Sequence, residues 1–198
     1  NPNNPTGTYV EVEEIASFLQ KFKGLLVVDE AYIDFYGGSS ANLVDEYDNL
    51  IVTQSMSKSY SLAGLRIGFA VASLDIVRGL MKIKDSYNVD MLATAGAIAA
   101  LKDRRSFNYN IEMVVSNKEY LEESLAALGF EVIPSRSNFI FTRHPAVKSA
   151  DLYQKLKEKK ILIRHYTGPV QSDYIRISVG TMMENKAVIK ELSAIVGA

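Results

Sequence analysis

The chain has 198 residues, of which 47% are hydrophobic and 23% charged, with 22 basic against 23 acidic side chains and a net charge of −1. That balance fits a globular protein and leaves no cationic field for nucleic acid. No apolar run is long enough to cross a membrane, and the absence of cysteine excludes both a disulfide framework and a thiolate site.

Residues 1–9 carry Pro2, Pro5 and Gly7 among three asparagines and read as a turn-rich loop. Val12, Ile15, Leu19 and Phe22 recur at helical spacing behind Glu11, Glu13 and Glu14, with Gly24 as the expected stop. Residues 25–28 (Leu-Leu-Val-Val) read as a strand buried on both faces, and Asp29 sits at its carboxyl end. In open α/β sheets that edge is where ligands bind. Residues 30–48 read as a loop, and residues 49–53 as the next strand. A third strand is expected over 65–72, then helices over 73–84, 89–102 and 104–127. Beyond Gly129 the pattern changes to strands at 130–133, 137–142, 161–163 and 174–179. Helices are expected at 149–158 and 183–196. This alternation implies a second, α+β lobe, with the boundary at residues 1–108 and 109–198.

The chemistry concentrates in Ser55-Met56-Ser57-Lys58, followed eight positions later by Arg66 after the Leu62-Ala63-Gly64 turn. A lysine amine can bond an aldehyde, while two hydroxyls and a guanidinium can bind a phosphate. Two other segments join it: Asn1-Pro2-Asn3-Asn4-Pro5-Thr6-Gly7 and Val27-Val28-Asp29-Glu30-Ala31-Tyr32. Together these resemble the pyridoxal-phosphate (PLP) aminotransferases of the aspartate aminotransferase superfamily. Leu62-Ala-Gly-Leu-Arg-Ile-Gly-Phe69, Pro134-Ser-Arg-Ser-Asn-Phe139 and Ile163-Arg164 bring the chain nearest to the histidinol-phosphate aminotransferases. The resemblance implies an α/β fold of the PLP-dependent transferase fold type I. The chain would be the C-terminal part of the large domain plus the small α+β domain. That fits an opening which reads as a loop without an initiator methionine or a charged-then-apolar leader.

By the same resemblance Lys58 bonds the cofactor, pyridoxal 5′-phosphate, and acts as general base. Asp29 keeps its ring nitrogen protonated, Tyr32 and Asn4 reach its ring oxygen, and Ser55, Ser57 and Arg66 clamp its phosphate. Arg176 and Arg164, with Asn4, bind substrate. Partners would be an amino donor, a 2-oxo acid and a second subunit in a cytoplasmic homodimer. Relatives acting on aromatic amino acids or decarboxylating threonine phosphate share most of these motifs. His165 and Tyr166 stand where family members often carry Asp or another polar group after the Ile-Arg pair. Glu30 is expected to be structural.

A different chemistry also matches. Ser55 to Lys58 fits the S-x-x-K pattern of serine β-lactamases, with Ser55 as nucleophile, but the companion S-D-N and K-T-G triplets are absent. That reading also leaves Asp29, Tyr32 and Arg66 idle. A non-enzymatic reading is a remnant that keeps the fold and has lost activity. His144 and His165 have no carboxylate pattern around them, so no metal site is expected.

Overall fold

Glu11 opens the first helix, α1 (Val12–Lys21), with its N–H donating to the Glu14 carboxylate at 3.3 Å in a capping box. The helix ends before Gly24, with Phe22 as its cap. Its buried stripe, Ile15 and Leu19, packs on Val28, Leu50 and Val52 of a sheet and on Val44 beside it. That sheet holds β1 (Leu26–Asp29), β2 (Leu50–Ser55) and β3 (Gly68–Ala72) in the order β1-β2-β3. β1 runs parallel to β2, so Asp29, opposite Thr53, and Ser55 leave the sheet at the same edge. β3 returns antiparallel, and Gly68 lies opposite Ser55. A Cβ on Gly68 would come within 2.7 Å of the Gln54 carbonyl oxygen, so only glycine lets the strands approach there.

The structure, a computed structural model, describes residues 1–197. The chain divides into two units, Asn1–Pro2 with Tyr9–Ile111, and Asn3–Thr8 with the residues from Glu112 onward. The first unit also contains α2 (Leu74–Ile83), α3 (Met91–Lys102) and the start of α4 (Arg104–Ala127). Asp90 caps α3, accepting from the Ala93 N–H at 2.8 Å.

The second unit is built on β4 (Glu131–Ile133), β5 (Phe139–Arg143), β6 (Arg164–His165) and β7 (Ile175–Ser178). They form one antiparallel sheet in the order β4-β5-β7-β6. One face packs Ile140, Ile175 and Ile177 against Leu121 and Leu125 of α4, Leu152 and Leu156 of α5 (Ser149–Glu158), and Leu192 of α6 (Met182–Val196). The pleat then sends Phe139, Phe141, Arg176 and Arg164 to the other face, where Phe141 opposes Arg176 and Arg176 opposes Arg164.

Four expectations differ from the structure. β1 is not buried on both faces, since Val27 is 57% exposed. The loop at 30–48 holds two short 3₁₀ helices, Ile33–Phe35 and Ser40–Asp45. The expected third strand, 65–72, begins only at Gly68: Leu65 ends a 3₁₀ turn, Ala63–Leu65, and Arg66 is left-handed. Ile161 and Ile163 reach the core from an unpaired segment, and the ladder forms at Arg164–His165 instead.

Candidate active site

Asp29 and Glu30 leave the carboxyl edge of β1 in opposite directions. Asp29 is exposed, and its Oδ1 accepts from the Ala31 N–H at 3.0 Å. Glu30 is buried and accepts from the Ser39 hydroxyl at 2.6 Å, the Ser40 N–H at 2.7 Å, the Ser40 hydroxyl at 2.6 Å and the Gln54 amide at 2.9 Å. Both oxygens are thus satisfied by neutral donors, which is how a desolvated carboxylate is stabilised without a cation. The network ties the start of the loop to β2 and so fixes where Tyr32 emerges.

The lysine loop is closed by its own backbone. Met56 N–H donates to the Ile67 carbonyl at 3.1 Å, and Leu62 N–H to the Met56 carbonyl at 3.1 Å. The Ser57 N–H donates to the Ser55 hydroxyl at 3.1 Å. Buried Ser59 donates to the Asp34 carboxylate, binding this loop to the 3₁₀ turn that follows Tyr32. Lys58 is exposed, and its Nζ lies 5.6 Å from the centre of the Tyr32 ring. Ser61 and Arg66 have φ of 58° and 54°, left-handed values that cost a non-glycine residue roughly 1–3 kcal/mol. Such strain concentrates at functional loops. The Arg66 guanidinium donates to the Ala63 carbonyl at 2.9 Å, and no hydrogen bond joins it to Ser55 or Ser57.

In the second unit, Arg176 donates to the Asn4 amide oxygen at 2.7 Å, and its guanidinium stands 4.8 Å from the Phe139 ring centre. Its Nε is buried and has no hydrogen-bond partner. Arg164, its cross-strand neighbour, lies 5.7 Å from the Tyr166 ring. Asn4, Pro5, Arg164, Tyr166, Gln171 and Arg176 line a recess of about 420 Å³ with no acidic residue. Like charges directly opposite each other destabilise a sheet, so this pairing and the unpartnered Nε leave positive charge in the recess without an acidic partner among its lining residues.

The candidate residues therefore fall into two groups. Asp29, Tyr32, Ser55, Ser57, Lys58 and Arg66 belong to the first unit; Asn4, Arg164 and Arg176 belong to the second. Sequence reading missed Asp34, Ser59, Ser39, Ser40 and Gln54, whose only signal was polarity in loops and at a strand end. His165 is held by a contact of 3.2 Å between Nε2 and the Ser172 carbonyl and is not among the residues that line the recess. Among the described residues no cluster of His, Asp or Glu is arranged for a metal, and no helix is long and apolar enough to cross a membrane.

The α/β unit, with its lysine loop at the strand edge, and the α+β unit have the architecture of the fold type I PLP-dependent transferases. The chain is similar to histidinol-phosphate aminotransferase of Sinorhizobium meliloti, solved in complex with pyridoxal-5′-phosphate (TM-score 0.89, 25% identity, all of this chain and 56% of that one). It is also similar to L-threonine-O-3-phosphate decarboxylase of Porphyromonas gingivalis (TM-score 0.86, 27% identity, all of this chain and 63% of that one). Residues 1–192 match the family of class I and II aminotransferases, and the chain belongs to that family. Among curated relatives, histidinol-phosphate aminotransferase of Pseudomonas putida W619 is 45% identical over 197 residues. The match takes in 98% of this chain and 57% of that relative, so the chain spans little more than half of its length.

Proposed function

We propose that the full-length protein is a pyridoxal 5′-phosphate-dependent aminotransferase of L-histidinol phosphate and 2-oxoglutarate, yielding imidazole acetol phosphate and L-glutamate in histidine synthesis. The observation that carries the substrate reading is the Arg164–Arg176 pair in a recess free of carboxylates. Two guanidiniums suit a phosphomonoester of charge near −2, with the same site taking a carboxylate of glutamate in the return half-reaction.

The residues of the first unit fit the cofactor. Among the described residues Lys58 has no ion-pair partner, so its amine is open to an aldehyde. Asp29 is the acid facing outward at the strand edge, available to a ring N–H, whereas Glu30 is fully engaged. When bound, the cofactor supplies an electron sink for the substrate's α-carbon. Lys58 holds it through Nζ, then moves the α-proton through that same nitrogen. Asp29 stabilises a protonated ring nitrogen, Tyr32 donates toward the ring oxygen, and Ser55, Ser57 and Arg66 bind the phosphate. Asn4 keeps Arg176 aimed at the substrate's anionic group. A homodimer in the cytoplasm, served by small-molecule donors and 2-oxo acids, completes the reading.

Borohydride reduction of the full-length protein with pyridoxal 5′-phosphate, followed by peptide mass mapping, is expected to label Lys58. A label on Lys82 or Lys84 would remove that assignment. Arg164→Ala tests the substrate. Losing a charged hydrogen bond to a bound anion costs roughly 2–5 kcal/mol, or about 30-fold to several thousand-fold in binding. The ratio of kcat/KM for histidinol phosphate over phenylalanine should fall accordingly. An equal loss on both makes Arg164 structural, and a wild type preferring aromatic amino acids makes the protein an aromatic aminotransferase. The similarity to the threonine-phosphate decarboxylase supports a second reading on the same phosphate site. Release of carbon dioxide without glutamate formation would select it.

A further inference from the structure

Lys118 of α4 is buried on the same stripe as Leu121 and Leu125, where an apolar residue would be expected. Burial pushes its ammonium below the ordinary lysine range, and the nearest acid, Glu122, is itself pushed up by burial. The ammonium donates to the Ser135 carbonyl at 2.8 Å and the Ser137 carbonyl at 3.4 Å. One turn on, the Glu122 carboxylate accepts from the Ser135 N–H at 3.4 Å. Two side chains of one helix thus hold both main-chain groups of a single residue.

What hangs from that residue leads to Arg176. The Arg136 N–H donates to the Gly7 carbonyl at 2.8 Å, docking the Asn3–Thr8 loop. Gly7 has φ of 75°, and a Cβ there would fall 2.3 Å from the Ser135 Oγ, so loop and turn meet without spare room. The loop closes on itself through Asn3 N–H to the Thr8 carbonyl and Gly7 N–H to the Asn3 carbonyl, both 2.8 Å, and presents Asn4 to Arg176. The Ser135 hydroxyl also donates to the Phe139 carbonyl at 2.6 Å, fixing the residue whose ring lies against the same guanidinium. Both groups that orient Arg176 therefore depend on the turn at 134–139.

We propose that Lys118 is a positioning residue, clamping the 134–139 turn so that Asn4 and Phe139 hold the Arg176 guanidinium ready for the substrate anion. The proposal rests on the reading of Arg176 as an anion receptor. A buried cation is a poor device for stability alone, since an apolar side chain of similar volume avoids the desolvation cost. A methionine would fill the space, but it would release both carbonyls.

The test is binding of glutarate, an unreactive dicarboxylate, to the full-length holoenzyme by calorimetry, together with KM and kcat for 2-oxoglutarate. Lys118→Met should raise the glutarate Kd and the 2-oxoglutarate KM about tenfold while kcat changes little. Leu125→Ala should lower Tm and leave both constants unchanged, separating position from mere stability. In an Arg176→Gln background Lys118→Met should add nothing, because its effect runs through that arginine. Should the methionine variant not fold, Lys118→Gln, which keeps a donor and loses the charge, should show the same direction with a smaller rise. Unchanged binding in a folded variant, or a full additional loss in the Arg176→Gln background, overturns the role of Lys118. A wild type that binds no glutarate overturns the anion reading of Arg176 and the clamp with it.

Discussion

Asp29 and Glu30 are adjacent acids with opposite fates, and the difference decides what a conservative change at each will do. Glu30 accepts from four neutral donors in a site only 1% exposed. Glu30→Gln turns one acceptor into an NH₂ group facing N–H and O–H donors, and a buried mismatch of that kind costs about 1–3 kcal/mol. Asp29 is exposed, and Asp29→Asn keeps the acceptor for the Ala31 N–H, so stability should move by less than about 0.5 kcal/mol. Under the proposed role of Asp29 its effect belongs to chemistry: an amide cannot hold a proton on a ring nitrogen, so transamination should fall at an unchanged Tm. Denaturation and turnover of the two full-length variants, measured together, check the pair. A Glu30→Gln protein as stable as wild type, or an Asp29→Asn protein with normal turnover, would contradict it.

At the scale of elements, the sequence was most legible where one physical signal acted alone. α4 and α5 have the expected bounds because Leu121 and Leu125, and Leu152 and Leu156, recur at helical spacing toward one core. The segment around Lys58 was legible as a loop following β2, although the contacts that hold it were not. A pattern of apolar residues says which side chains are buried but not which neighbour pairs the backbone. Ile161 and Ile163 illustrate this: they do pack on the core, as a strand would, yet the ladder begins only at Arg164 opposite Arg176. Likewise Leu65 and Ile67 look like strand, but the Ile67 carbonyl closes the lysine loop and Arg66 turns left-handed beside it. The ties from Asp34 to Ser59 and from Glu30 to Gln54 span 25 and 24 positions. No local period carries such separations, so those supports became visible only in three dimensions.

At the scale of the whole molecule, apolar surface is distributed unevenly along the chain. The second unit buries its apolar stripe between one sheet face and its helices, whereas α2 buries none of its residues. Leu80, Met81 and Ile83 are 41%, 58% and 80% exposed, and Met91 and Leu92 at the start of α3 are 84% and 80% exposed. Covering a Leu, Ile or Met side chain fully returns roughly 1.5–3 kcal/mol, against roughly 0.2–1 kcal/mol for an exposed ion pair. With a net charge of only −1, electrostatic repulsion between copies is too small to oppose such contacts. The 198-residue chain by itself should therefore self-associate at micromolar concentration and bind a dye that reports apolar surface. Met81→Lys with Ile83→Lys should reduce both signals. It should change stability by less than about 0.5 kcal/mol, because neither side chain contributes to the buried core. Light scattering, dye fluorescence and thermal unfolding on the chain and its double variant make the comparison. Association that persists unchanged in the double variant would mean that the open face of α2 is not what drives it.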